Sequence, residues 1–252
     1  MTATPPSRDA TLTTRAVRGT AVAFVSQGAK FALHFGIAVA MARLVSPEDF
    51  GLFGIAFAVT GFLEFAKTGG VVVPVLQSES LTTEQLDTLF WFNVGLGLLV
   101  TLVGLAAAPV VGHVFSDPRL VPITRVLALG FLAGGLSTQH YALLRRRMRF
   151  TALAICEVTA FVTAGTIAIW AAARGSGYWA LVYFQLVREV VQSVLVIAIT
   201  GWIPGWPSRG AAVGPLLRFG GVMMAFDLLG YINFKVDNLI VGYSLGPTAL
   251  GL

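Results

Sequence analysis

The chain has 252 residues, 56% of them hydrophobic and only 12% charged, with 17 Lys and Arg against 12 Asp and Glu for a formal net charge of +5. With a mean hydropathy of +0.80, that composition excludes an ordinary soluble globular domain and calls for an all-α integral membrane protein. A single cysteine, Cys156, excludes disulfides and cysteine metal clusters. The basic residues are scattered along the flanks of apolar runs, so the positive excess orients the chain in a membrane and does not point to nucleic acid.

A bilayer core of about 30 Å needs roughly 20 apolar residues per helix, and the chain offers seven such stretches, at residues 20–44, 51–76, 87–112, 120–142, 153–173, 178–200 and 216–245. Residues 1–18 read as a short cytoplasmic segment. The first apolar run is too long and too polar at its centre for a cleaved signal peptide, so it is expected to remain as a span. It carries Gln27, Lys30 and His34 on one helical face, with Gly28 and Gly36 beside it. Because a lysine at mid-membrane is costly to insert, Lys30 is expected to face protein or a wet cavity. A break at Ser46-Pro47-Glu48-Asp49 ends this span.

The second span holds Glu64 and Lys67 three residues apart, close enough to pair. Beyond it Thr82-Thr83-Glu84-Gln85 reads as a capped helix start. The third and fourth spans, nearly free of charge, read as lipid-facing scaffold joined by the turn Ser116-Asp117-Pro118-Arg119. The fourth ends in Arg145, Arg146, Arg147 and Arg149, a basic cluster that suits a membrane surface and fixes topology.

Tyr178-Trp179, after the turn Arg174-Gly175-Ser176-Gly177, sits where an interfacial aromatic belt belongs. The sixth span carries Gln185, Arg188, Glu189 and Gln192 around its middle. Adjacent positions diverge by about 100 degrees on a helix, so Arg188 and Glu189 are each expected to find a partner elsewhere. Residues 201–215, rich in Gly, Pro and Trp, read as a cytoplasmic linker. The last stretch, 216–252, holds Asp227, Lys235 and Asp237 and ends by repeating the first break at an offset of 200: Pro47, Gly51 and Leu52 match Pro247, Gly251 and Leu252. Residues 19–200 are therefore expected to form a six-helix transmembrane bundle, and 216–252 the first helix of a second, parallel repeat. With the amino terminus in the cytoplasm, Arg8, Arg15, Arg18, Arg145, Arg146, Arg147, Arg149, Arg209 and Arg218 lie inside, and only Arg43, Arg119, Arg125 and Arg174 outside. No nucleotide loop, zinc motif or nucleophile elbow is present in its required context, so no catalytic residue, metal or cofactor is expected.

Several segments resemble the polysaccharide or O-antigen flippases (Wzx-type) of the multidrug/oligosaccharidyl-lipid/polysaccharide exporter superfamily. They are residues 42–53, Thr83-Glu84-Gln85-Leu86, Leu89-Phe90-Trp91-Phe92-Asn93, 144–150 with Glu157, 177–182 and 237–242. The resemblance implies half of a MATE/MOP-like transporter that exports an undecaprenyl-pyrophosphate-linked oligosaccharide across the bacterial plasma membrane. It also implies membrane lipids and polysaccharide polymerase or glycosyltransferases as partners. On that reading Lys30, His34, Lys67, Arg188 and Lys235 are the candidate substrate-binding cavity residues. Glu64, Asp227 and Asp237 are candidates for ion coupling or charge balance. The alternatives are a multidrug or metabolite exporter of the same superfamily, and a non-transporting scaffold of a polysaccharide assembly complex.

Overall fold

The computed structural model describes residues 27–28, 31–68, 75–76, 78, 81–208, 210–223 and 225–226, with the backbone alone for 65–68. The chain order is α1 (Phe31–Leu44), α2 (Pro47–Thr68), α3 (Thr83–Val114), α4 (Leu120–Arg146), α5 (Phe150–Ala173) and α6 (Tyr178–Thr200), followed by α7 at residues 214–223. Among the described residues four helices, α3 to α6, are long and apolar enough to cross a bilayer. Most of the seventh expected span, with Asp227, Lys235 and Asp237, lies outside the described residues, as does Lys30.

Local chemistry sets the helix ends. Ser46 Oγ accepts from the Asp49 amide at 3.1 Å and donates to the Asp49 carboxylate at 2.8 Å, and Pro47 follows as the first helical residue. The helix expected from residue 51 therefore begins four residues earlier, because a capping serine before a proline is a start signal. At the head of α3, Thr82 accepts from the Gln85 amide at 3.2 Å while Gln85 Oε1 accepts from the Thr82 amide at 3.1 Å. This is the capping box expected there. The expected limits of α6 hold to the residue: Gly177 precedes it with φ of 55° and Gly201 closes it in the left-handed region at 62°.

The expectation of α3 and α4 as lipid-facing scaffold is half right. Leu98, Leu99, Leu102, Val103, Val110 and Val114 of α3 are exposed and suit acyl chains. By contrast α4 is a central helix, buried at positions from Leu120 to Leu144 and packed against α2, α3 and α6. The reason is its run of small residues. A Cβ on Gly135 would stand 2.8 Å from the Asn93 carbonyl, and one on Gly97 would stand 2.9 Å from the Phe131 carbonyl. The two backbones thus touch at a crossing that only glycine permits. Hydroxyls add ties across the same helix: Thr101 donates to Ala128 O at 3.2 Å, and Ser193 of α6 donates to Ala133 O at 3.0 Å.

The loops gather at two ends. At one, Arg119 bridges Glu48 at 2.7 Å and Asp117 at 2.8 Å, and Gly177 lies against the Asp49 carboxylate. Here lie Arg43, Arg119, Arg125 and Arg174 with Glu48, Asp49 and Asp117, four basic residues against three acidic. Beneath them Leu52, Ile55, Val111, Leu120, Ile123 and Val182 form the largest apolar cluster. At the other end lie the arginine-rich turn 147–149 and the segment 201–208, with the Arg149 guanidinium donating at 3.3 Å to Ile199 O in the last turn of α6, just before that segment. Arg146 donates to Val75 O at 2.7 Å, so two members of the basic cluster also tie helix ends together.

Candidate functional site

Three helices enclose a cavity of about 160 Å³ near the middle of the bundle. On α2, Phe57, Thr60, Gly61 and Glu64 fall at helical spacings on one face; Leu127, Gly130 and Phe131 do so on α4; and Gln185, Leu186, Arg188 and Glu189 do so on α6. The space exists because Gly61 and Gly130 carry no side chains where the helices face one another. Thr60 bonds back to Ala56 O at 2.8 Å, so its hydroxyl is used within α2.

Arg188 and Glu189 lie at the centre of a 23-residue helix, roughly 15 Å from either end. Their side chains remain 25% and 20% exposed, and their nearest charged atoms are 4.0 Å apart. This corrects the expectation that neighbours in sequence could not pair: the long arginine stem reaches back along the helix. The pairing is loose all the same, at the outer limit for an ion pair and with one guanidinium nitrogen. Arg188 Nε is buried and has no hydrogen-bond partner among the described residues. The guanidinium carbon also sits 5.5 Å from the centre of the Phe161 ring on α5, within range of a cation–π attraction.

Phe161 links a further candidate to this place. The His34 ring of α1 meets it edge to face at 6.1 Å, and Phe184 of α6 lies 6.0 Å away on another side. The structure thus brings His34, Glu64 and Arg188 around the middle of α6, with Glu64 half-buried and His34 exposed. Of Lys67 only the backbone is described, at the end of α2. Sequence reasoning left out Phe161 because a phenylalanine in an apolar helix carries no mark of what it will face. It noted Glu189 and Gln185 without assigning them to a site; their spacing of four was the available signal. No group of three or more potential metal ligands occurs among the described residues.

A second polar group lies toward the arginine-rich end and is closed. Asp87 is buried, with Gly205 so near its Oδ2 that a Cβ there would stand 2.7 Å away. Asn93 of α3 donates to Gln139 of α4 at 3.3 Å, and both side chains are buried. The His140 ring nitrogens face Leu136 O at 3.1 Å and Trp202 O at 3.3 Å, and its ring meets Phe90 and Trp202 edge to face. Residues 201–208, expected as a linker, are thus a strap folded onto α3 and α4.

The helices and the charged cavity within them define an all-α, multi-pass integral membrane protein. Residues 40–252 match the polysaccharide biosynthesis protein family, and the chain belongs to that family. Similar proteins include the lipopolysaccharide biosynthesis protein WzxC of Escherichia coli, 25% identical over 84% of this chain and 43% of its own length. The succinoglycan biosynthesis transport protein ExoT of Rhizobium meliloti is 26% identical over 90% of this chain and 46% of its own. The teichuronic acid biosynthesis protein TuaB of Bacillus subtilis is 25% identical over 77% and 40%. The chain therefore spans about half the length of the curated relatives it matches. No solved structure matches it.

Proposed function

We propose that the chain forms the amino-terminal half of a transporter that carries a lipid-linked oligosaccharide, joined through a pyrophosphate, across the bacterial plasma membrane. Arg188 carries the reading. A guanidinium at mid-helix, loosely paired and open to a cavity, can exchange a weak carboxylate contact for the stronger bidentate grip it makes on a phosphate. Family membership and the names of the relatives, one of them a transport protein, support the same reading. The cavity, at about 160 Å³, has room for a phosphoryl group and not for a glycan. The sugar would lie against faces that the bundle leaves open, where His34 is exposed.

Glu64 and Glu189 line the same cavity as Arg188, so its described charges are two acids and one base. In the transport reading they hold the guanidinium when no anion is bound and take up a cation or proton when it turns away. Arg145, Arg146, Arg147, Arg149 and Arg218 cluster at one end while the other end is nearly balanced, which supports a cytoplasmic placement of the basic end.

The test replaces Arg188 within the complete transporter gene. Arg188→Gln should lower surface polysaccharide by about tenfold or more, the weight of one charge-assisted bond, with unchanged protein level and lipid-linked precursor accumulating in the membrane. Arg188→Lys, which keeps the charge and loses the fork, should retain part of the export. Normal export by Arg188→Gln would remove the residue from the site.

A further inference from the structure

The strap 201–208 is tied down, with Trp202 turned in against Phe90 and His140 and its other large apolar side chains, Ile203 and Trp206, turned outward. Trp91 Nε1 donates to Gly205 O at 2.9 Å, and Thr88 Oγ1 accepts from the Ser208 amide at 3.0 Å. Trp206 lies flat on Trp91, their planes 7° apart at 5.8 Å. Yet Trp206 is 85% exposed and Ile203 is 87% exposed. Alongside, the turn between α4 and α5 thrusts out Met148, 71% exposed with a φ of 52°. Arg145, Arg147 and Arg149 around it are exposed as well. A fixed backbone that presents Ile, Trp and Met to water would forfeit burial that each could otherwise gain.

The length of α3 says at what depth this surface sits. Its 32 residues extend roughly 48 Å, against a hydrocarbon core of about 30 Å. Its exposed apolar face runs from Trp91 and Phe92 to Val114, which accounts for roughly 36 Å, the hydrocarbon core and one interfacial layer. The remaining roughly 12 Å is the first two turns, and the strap lies along the second of them, where Gly205 meets Asp87 and the Ser208 amide meets Thr88. Asp87, buried there, is shielded by the strap's own backbone at Gly205 and not by lipid. The strap therefore lies at the level of the headgroups, where indole rings gather and basic side chains meet lipid phosphates.

We propose that residues 201–208 and the turn 147–149 form one anchoring surface that seats in an anionic lipid headgroup layer, with Ile203, Trp206 and Met148 dipping below the phosphates and Arg145, Arg147 and Arg149 contacting them. The surface fits a bilayer leaflet because it joins exposed apolar side chains to exposed cations, the complement of acyl chains beneath anionic headgroups. It stands whether or not Arg188 handles a substrate.

The full chain in vesicles of phosphatidylcholine, with or without phosphatidylglycerol, provides the test through tryptophan fluorescence. Phosphatidylglycerol brominated near the headgroup end of its acyl chains should quench more strongly than brominated phosphatidylcholine at the same fraction, and Trp206→Phe should remove most of that difference. Replacing Arg145 and Arg147 with Gln should lower the preference for phosphatidylglycerol roughly fivefold per arginine. Three results would overturn the proposal. They are equal quenching by the two lipids, quenching of Trp206 by aqueous iodide with none by brominated lipid, and protection of Trp206 from both, which would mean that protein covers the strap.

Discussion

The mid-bundle cavity and the strap-covered end both gather polar side chains against α4, yet they are settled in opposite ways. At the strap, His140, Gln139 and Asn93 are buried, with Asn93 bonded to Gln139 and His140 facing Trp202 O, although Asn93 Oδ1 and Gln139 Nε2 have no hydrogen-bond partner among the described residues. In the cavity Arg188 and Glu189 keep a fifth to a quarter of their side-chain surface, an ion contact at 4.0 Å and open space beside them. Buried polar groups bonded to one another fix how the helices that carry them pack. A guanidinium held by an ion contact at 4.0 Å beside open volume is free to change partners. Burial of polarity alone would have ranked the strap first; the open volume reverses that order.

Both regions depend on α4 lying against α3, so the largest effect should come from the glycine crossing. In Gly135→Leu the first side-chain atom already meets the Asn93 carbonyl at 2.8 Å, and backbone cannot yield as a flexible side chain would. Overpacking of a tight core typically costs about 1–3 kcal/mol, and here two helices must part. The expected result is loss of folded protein, read as monodisperse yield in detergent, with both regions lost together. Survival at wild-type yield would mean that the crossing is looser than described.

The next effect separates the two regions. Gln139→Leu leaves the Asn93 amide buried without its partner, a loss of about 1–3 kcal/mol. The double change with Asn93→Leu should recover part of the melting temperature, because both polar groups then go. Export by the complete transporter should be unaffected in whatever protein folds. Glu64→Gln should behave in reverse, with a smaller change in melting temperature and altered export. If Glu64→Gln were instead the destabilising change and Gln139→Leu the one that altered export, the division between a structural and a functional cluster would be inverted.

How much of this was legible depended on whether a residue's role is local. Gly177 and Gly201 bracket α6, and Thr82 with Gln85 caps α3, because caps act within one turn of chain. The four-residue error at α2 came from setting the break before an apolar run rather than at the Ser46-Pro47 start signal. Arg188 stood out because a charge in mid-helix is costly anywhere. Phe161 did not, and neither did the strap. Gly205 and Trp206 read as linker in one dimension, and their roles come from Asp87 and Trp91, more than 110 positions earlier in the chain. The central position of α4 follows from Gly135 meeting Gly97, a match between two sequences that neither announces alone.

The smallest expected effect lies at the nearly balanced end, away from both regions, and serves as their control. Asp117 is held below the usual carboxylate range chiefly because Arg119 donates side-chain hydrogen bonds to it, with backbone donation and charge adding to this against the effect of burial. A carboxylate depressed in the folded state stabilises fully above its unfolded pKa, about 3.9, and loses that contribution as pH falls through its lower folded value. Asp117→Asn should therefore melt slightly below the wild type at neutral pH, and the two curves should converge in acid once Asp117 is protonated. Because Arg119 is 43% exposed, salt should narrow the gap at neutral pH as well. A gap that persisted unchanged into strong acid would show that Asp117 acts by shaping the 115–119 turn, where it also accepts from the Arg119 amide at 2.9 Å, and not by its charge.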